Sequence, residues 1–258
     1  MIAIYKREMS SYFHSPIGWV VVAVATFLAG FVFALNASNG YSNIEAELEF
    51  LLWILKFTIP IITMRLFSEE RKNATEVLLY TSPISLFRVV IGKYLAAMTL
   101  FLIMISTTLI HVFLTLVWGG RIGATTFGAY LVFIFVAAVF VALGTFTSAV
   151  TENQIVAAII SFLITFLVQL LPNLATSAQS MVSTFLGWIN FFGLSAASIN
   201  SMAQACYEGI IWIDPFSRMT NMNQGIFDVS PLVYSLSLSI FFLFLTYRIM
   251  EKKRWSQG

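Results

Sequence analysis

Arg65, Glu69, Glu70, Arg71, Lys72 and Glu76 crowd ionisable side chains into one short stretch of a 258-residue chain in which only 10% of residues are charged. Arg65, Glu69, Lys72 and Glu76 recur at spacings of four, three and four, so a continuous helix would carry them as one stripe of favourable neighbours. Such a stripe pairs charges or docks on a partner; it does not build a nucleophile and its base. The rest of the chain supplies none either. There is no G-x-x-x-x-G-K-S/T loop to cradle phosphates and no H-E-x-x-H pair for zinc. The only histidines, His14 and His111, are expected at opposite membrane faces, with helix packing as the role of His111. Asp214 and Asp228 both fall in a polar segment outside the apolar runs, which removes a paired intramembrane aspartate site. Cys206, the single cysteine, allows neither an intramolecular disulfide nor the usual multi-ligand zinc site. No catalytic residue, metal site or bound cofactor is expected of this chain.

The elements that position the charged stretch are membrane spans. Hydrophobic residues make up 59% and aromatics 16% of the sequence, whereas a soluble domain is about 25% charged. A spanning helix needs about 20 apolar residues, and six such runs are expected at 17–35, 50–67, 87–118, 127–150, 155–171 and 231–250. Pro172 is expected to stop the fifth. Residues 173–230 form an external segment, with short helices over 181–194 and 196–207 that enter the outer leaflet and return. Ahead of the first span, Met1 to Ser15 alternates apolar and polar residues. Ile2, Tyr5, Met9, Tyr12 and Phe13 share one helical face opposite Lys6 and Arg7, which predicts an amphipathic helix lying in the interface. The run after Pro16 is too long for the core of a signal peptide.

Lysine and arginine set the orientation. Eleven of the fourteen lie on one side: Lys6, Arg7, Arg65, Arg71, Lys72, Arg88, Lys93, Arg248, Lys252, Lys253 and Arg254. That side, with both termini and the 68–86 loop, is expected to be cytoplasmic. Arg121 and Arg218 lie on the other, beside Glu45, Glu47, Glu49, Glu208, Asp214 and Asp228. Lys56 alone sits inside a span. Its ordinary reading is a lysine that extends toward Glu45, Glu47 and Glu49; the sharper one is an outward vestibule that attracts an anionic group. The third to sixth spans carry no ionisable residue at mid-depth, as an ion-driven carrier would require. Ser106, Thr107, Thr108, Thr145, Thr147, Ser161, Thr165 and Gln169 suit hydrogen bonding between helices.

Within the bridge, Asn73 or Thr75 is placed to cap a short new helix with Glu76 in its positive first turn, and Ser82-Pro83 to end it. Val77, Leu78, Leu79 and Tyr80 then have nothing cytoplasmic in this chain to bury against. The run Met64-Arg65-Leu66-Phe67-Ser68-Glu69-Glu70-Arg71-Lys72-Asn73-Ala74-Thr75-Glu76-Val77-Leu78-Leu79-Tyr80-Thr81-Ser82-Pro83-Ile84-Ser85, followed by Gly92-Lys93-Tyr94, resembles the first cytoplasmic loop of ABC-2-type permease subunits. The gliding-motility-associated and nitrous-oxide-reductase-maturation branches are the most similar. Phe216 to Tyr234 and Leu243 to Trp255 resemble the last span and basic tail of that group. Residues 176–212 are the least alike, and Ala74 replaces a usual glycine, favouring helix where those relatives bend.

The resemblance implies an all-α integral membrane protein of the type V ABC exporter kind. Six transmembrane helices would join an N-terminal interfacial helix, a cytoplasmic coupling helix between spans two and three, and external re-entrant helices between spans five and six. It implies the permease subunit of an exporter, itself no enzyme. ATP and magnesium would be bound by separate ATPase subunits, alongside a second permease, identical or related. Glu69, Glu70, Arg71, Lys72, Thr75, Glu76, Leu78, Leu79, Thr81, Ser82 and Pro83 become ATPase-coupling residues, with Thr151, Glu152, Asn153 and Gln154 as a second contact. Tyr5, Lys6, Arg7, Met9 and Phe13 belong to the interfacial helix, and Lys56 to the vestibule. A bacterial inner (plasma) membrane, contact with lipid and an extracytoplasmic accessory protein fit this picture; nucleic acid does not. The rival is an ATP-driven mechanical or scaffold subunit that regulates an envelope partner and moves no solute.

Overall fold

The computed structural model describes residues 1–40, 43–73, 75, 76, 84–188, 193 and 195–256. Among these, helices α1 (Ile2–His14), α2 (Pro16–Ser38), α3 (Ile44–Thr63) and α4 (Arg65–Lys72) come first. They are followed by α5 (Leu86–Ser106), α6 (Leu109–Val117), α7 (Ala124–Val150) and α8 (Gln154–Trp188). After α9 (Ala196–Ile211), a 3-10 turn at Ser217–Met219 and the single turn α10 (Thr220–Asn223) lead into α11 (Ser230–Ser256). Among the described residues, six helical stretches are long and apolar enough to cross a membrane: Pro16–Ser38, Ile44–Lys72, Leu86–Val117, Ala124–Val150, Gln154–Trp188 and Ser230–Trp255.

Local chemistry sets the ends of these helices. Ser15 is extended and Pro16 opens α2, where its missing N–H costs nothing. The Asn43 side chain accepts from Ala46 N at 2.9 Å to start α3, and Ser85 accepts from Arg88 N to start α5. Gly119, at φ +81°, lets the chain leave α6 in a left-handed turn. The expected third span is broken at Thr107 and Thr108. Their hydroxyls donate back to Met104 O and Ile105 O, competing with the helical ladder, and also reach Thr26 and Tyr130 on neighbouring helices.

The core forms around α7 and α3, whose most apolar windows are 67% and 61% buried against 17% for α8. Small residues allow the close approach. A Cβ on Gly144 would lie 2.3 Å from the Thr63 hydroxyl, and one on Gly128 would lie 2.0 Å from Met222 O. One end of the bundle, here the charged end, gathers α1, α4, the α7–α8 turn and the end of α11. The opposite end holds the starts of α3 and α7, the α8–α9 hairpin and α10.

Two expectations need correction. Pro172 does not stop the fifth span: α8 runs through it to Trp188, and residues 181–188 belong to that helix rather than to a separate one. A proline inside a long apolar helix removes one backbone bond, and neighbouring helices can make good that loss. On α1 the buried residues are Ile4 and Tyr12, while Ile2 is exposed. Ile4 is turned inward because Gly92 of α5 leaves room for it, its side chain lying where a Gly92 Cβ would meet it at 3.2 Å.

Candidate functional site

At the charged end, α4 is held by hydrogen bonds that reach across the sequence. The first four N–H groups of a helix lack internal partners. Here the Ser148 hydroxyl of α7 accepts from Phe67 N at 3.0 Å and Ser68 N at 3.3 Å, and donates to Met64 O. Arg71, at the other end of α4, donates through Nη1 to Thr151 O at 2.8 Å and through Nη2 to Ala149 O. A guanidinium on the last carbonyls of α7 also suits the negative end of that helix. The Nε of the same residue faces the Glu76 carboxylate at 3.1 Å, and Lys253 of α11 donates to Ala149 O at 3.3 Å.

On its other side α4 is tied to α1 and α5. Lys93 is 1% exposed. Its ammonium lies 2.9 Å from Glu8 and 3.1 Å from Glu70, donates to Leu66 O, and stands 5.2 Å from the Phe67 ring centroid. Arg7 bridges the same two carboxylates. Burial pushes the Glu8 carboxyl up, but the Lys93 ammonium and then Arg7 outweigh it and hold Glu8 below its ordinary value. Arg65 completes the frame, pairing with Glu69 at 2.7 Å and donating to Ser15 Oγ at 3.0 Å. Tyr12 OH donates to Ile62 O at 2.7 Å.

These contacts revise the expected stripe. Arg65 and Glu69 do pair, but the chain leaves the helix at Asn73, and Glu76 meets Arg71 instead of Lys72. Asn73 closes α4, the Thr75 hydroxyl donates back to Glu70 O, and the short helix expected beyond Thr75 lies outside the described residues. Glu69 and Glu70 are engaged inside the chain, whereas Lys72, Asn73, Thr75, Glu152 and Asn153 are exposed and Thr151 is buried. Arg71, Lys72, Glu76, Glu152, Asn153, Gln154 and Ile155 line one open cleft of about 670 Å³, so the structure brings the two expected contacts together. Leu78, Leu79, Thr81, Ser82 and Pro83 lie outside the described residues, as does Ala74. Of the α1 residues, Tyr5, Met9 and Phe13 pack on the core, Lys6 is exposed, and Tyr5 OH donates to Thr99 Oγ1 at 3.1 Å.

Sequence reasoning did not find Glu8, Lys93 and Ser148 as parts of this site. For Lys93 the only signal was its place in the Gly92-Lys93-Tyr94 resemblance.

Toward the opposite end, two of the three carboxylates expected to draw Lys56 have other partners. Glu45 accepts from Thr125 and Thr126 at 2.8 and 2.7 Å. Glu47, fully buried, pairs with His111 Nδ1 at 2.8 Å, and His111 stacks on Phe33. His111 therefore does more than pack. Lys56 lies over Trp53, its ammonium 3.9 Å from the ring centroid. A lysine near mid-membrane costs about 2.5 to 3.5 kcal/mol; a desolvated cation–π contact returns about 2 kcal/mol or more.

A family model described as ABC-2 family transporter protein matches residues 2–255. The chain belongs to the ABC-2 transporter family. No curated protein matches the chain. ABC-2 permeases are the membrane components of their transporters and not the ATPases, and the family implies association with ATP-binding subunits. Six apolar helices over almost the whole matched length agree with a multi-span membrane permease.

Proposed function

We propose that this ABC-2 permease is the membrane half of an ATP-driven exporter, with the charged end cytoplasmic and seated on a separate ATP-binding subunit. The observation that carries this reading is the cleft in which Arg71, Lys72 and Glu76 meet Glu152, Asn153 and Gln154. It offers an ATPase two chain segments on one rigid mount, fixed to α1, α5, α7 and α11 by the contacts of Lys93, Ser148, Arg71 and Lys253. Closure of the ATPases on ATP would pull on that mount, and the helices rooted in it would exchange inward-open for outward-open packing. ATP and magnesium stay with the partner, and a second permease, identical or related, completes the pathway. The basic side of the chain supports cytoplasmic termini, and the likeness of residues 64–85 to the branch named below supports a bacterial inner (plasma) membrane. Within the family we place the chain nearest the gliding-motility-associated and nitrous-oxide-reductase-maturation branch, on the likeness of residues 64–85.

One observation favours a mechanical role instead. Helix α8 rises without interruption from the α7–α8 turn to Trp188, about 52 Å at 1.5 Å per residue against about 30 Å of hydrocarbon. Such a rod could carry motion to an envelope partner without moving a solute. Reconstitution with the ATPase decides whether the cleft is the coupling surface. Exchanging the exposed charges, Lys72→Glu with Glu152→Lys, should cut permease-stimulated ATP hydrolysis about tenfold while the protein still inserts. Full stimulation by that variant would refute the assignment, and ATP-dependent movement of a labelled amphipath would separate transport from scaffold.

A further inference from the structure

Lys56 is 7% exposed. About 18 Å of helix separates it from Ile44, the first residue of α3. Three rings surround its ammonium: Trp53 at 3.9 Å, Phe166 at 5.2 Å and Phe57 at 5.6 Å to their centroids. Among the described residues it makes no hydrogen bond and no ion pair, and it is not one of the residues with further contacts. The carboxylates on its own helix do not neutralise it. Glu45 is held by two threonine hydroxyls, Glu47 by His111, and Glu49 stands two helical turns away. A charge held in an apolar setting is paired or gives up its proton, and among the described residues this one has no counter-charge.

Its surroundings suggest the form that anion takes. Trp53 and Phe57 are each 52% exposed and Ile61 is 39% exposed, so an apolar strip of α3 continues from the ammonium toward the charged end. Phe57 meets Phe162 of α8 at 5.3 Å between centroids, so the strip continues onto the neighbouring span as one aromatic face. A free inorganic anion would satisfy the lysine and leave those rings uncovered. An alkyl chain bearing one anionic headgroup satisfies both.

Resting on the permease reading above, we infer that Lys56 and the aromatic face shared by α3 and α8 bind an amphipath with a phosphate or carboxylate headgroup, and that this is the class of cargo the protein accepts. The headgroup accepts a charge-assisted hydrogen bond from the Lys56 ammonium, and the chain lies over Phe57 and Ile61.

The full-length protein in phosphatidylcholine nanodiscs, titrated with dodecyl phosphate, dodecyltrimethylammonium and inorganic phosphate, tests this, with Trp53 fluorescence as the readout. Trp53→Phe identifies the signal. Dodecyl phosphate should saturate it, and the half-saturating concentration should rise about tenfold in Lys56→Gln and return toward the starting value in Lys56→Arg. The cation and inorganic phosphate should not produce the same response. Equal binding of dodecyl phosphate by Lys56→Gln overturns the site, and equal binding of inorganic phosphate overturns the amphipath. Should Glu49 of a second copy supply the missing anion, Glu49→Gln would create a dodecyl phosphate response absent from the starting protein, which also overturns it. A separate assay with the ATPase present keeps the two ideas apart. Selective binding without stimulated ATP hydrolysis counts against the transporter reading and leaves the site standing.

Discussion

Lys93 is the residue on which the charged end depends most. Two carboxylates from different helices, Glu8 and Glu70, converge on its buried ammonium. Removing one partner of a buried pair costs more than the pair itself contributes, because the remaining charges keep their desolvation without compensation. Lys93→Met is therefore expected to lower unfolding stability by about 3 kcal/mol, read as a lower thermal midpoint in nanodiscs. An unchanged midpoint would mean that Arg7 alone satisfies both acids. The pH dependence has a definite sign. Because the Glu8 carboxyl is held below its ordinary 4.5, its contribution is present above that value and is lost as pH falls through the depressed one. Glu8→Gln should thus be less stable than the parent at neutral pH, with the difference closing as the solution is acidified below the carboxylate range.

Among the elements, α7 is the helix the others are built on, and its glycines mark where neighbours come closest. Gly144→Ala puts a methyl against Thr63 with nowhere to move, since Thr63 donates to Ile59 O and is fully buried. A loss of about 1 to 3 kcal/mol is expected from such overpacking. Gly187→Ala, with nothing within 4 Å, should be neutral or slightly stabilising. Equal midpoints for the two variants would contradict the packing described for α3 and α7. What could be read from the sequence at this scale was local. Apolar runs, Pro16 at a helix start, the glycine turn near 119 and the polar reversal at 151–154 all act within a few residues of themselves. Pro172 misled because its cost in a helix is read locally, while its tolerance depends on neighbouring spans. The partners of Lys93 and Ser148 were invisible for a related reason: Glu8 is 85 residues from Lys93 and Phe67 is 81 from Ser148, and no periodicity links them. Lys56 stands out in the sequence as the one basic residue inside a span, but its isolation depends on Thr125, Thr126 and His111, which claim Glu45 and Glu47.

For the whole molecule, the fold places two different surfaces at its two ends. The charged end is a braced platform with exposed polar groups at Lys72, Glu152 and Asn153. The opposite end carries a helical hairpin whose Met181, Phe185 and Trp188 are exposed and uncharged. A transporter driven from one side needs this asymmetry, since the motor must grip one end while the spans stay free to rearrange. Membership of the ABC-2 family says that an ATP-binding subunit belongs with this chain; the seat we propose for it is the charged end. Photo-crosslinking residues at 72, 153 and 181, introduced one at a time into the assembled complex, test that claim most directly. The account predicts adducts with the ATP-binding subunit from positions 72 and 153 and none from 181. Adducts from 181 alone would contradict it.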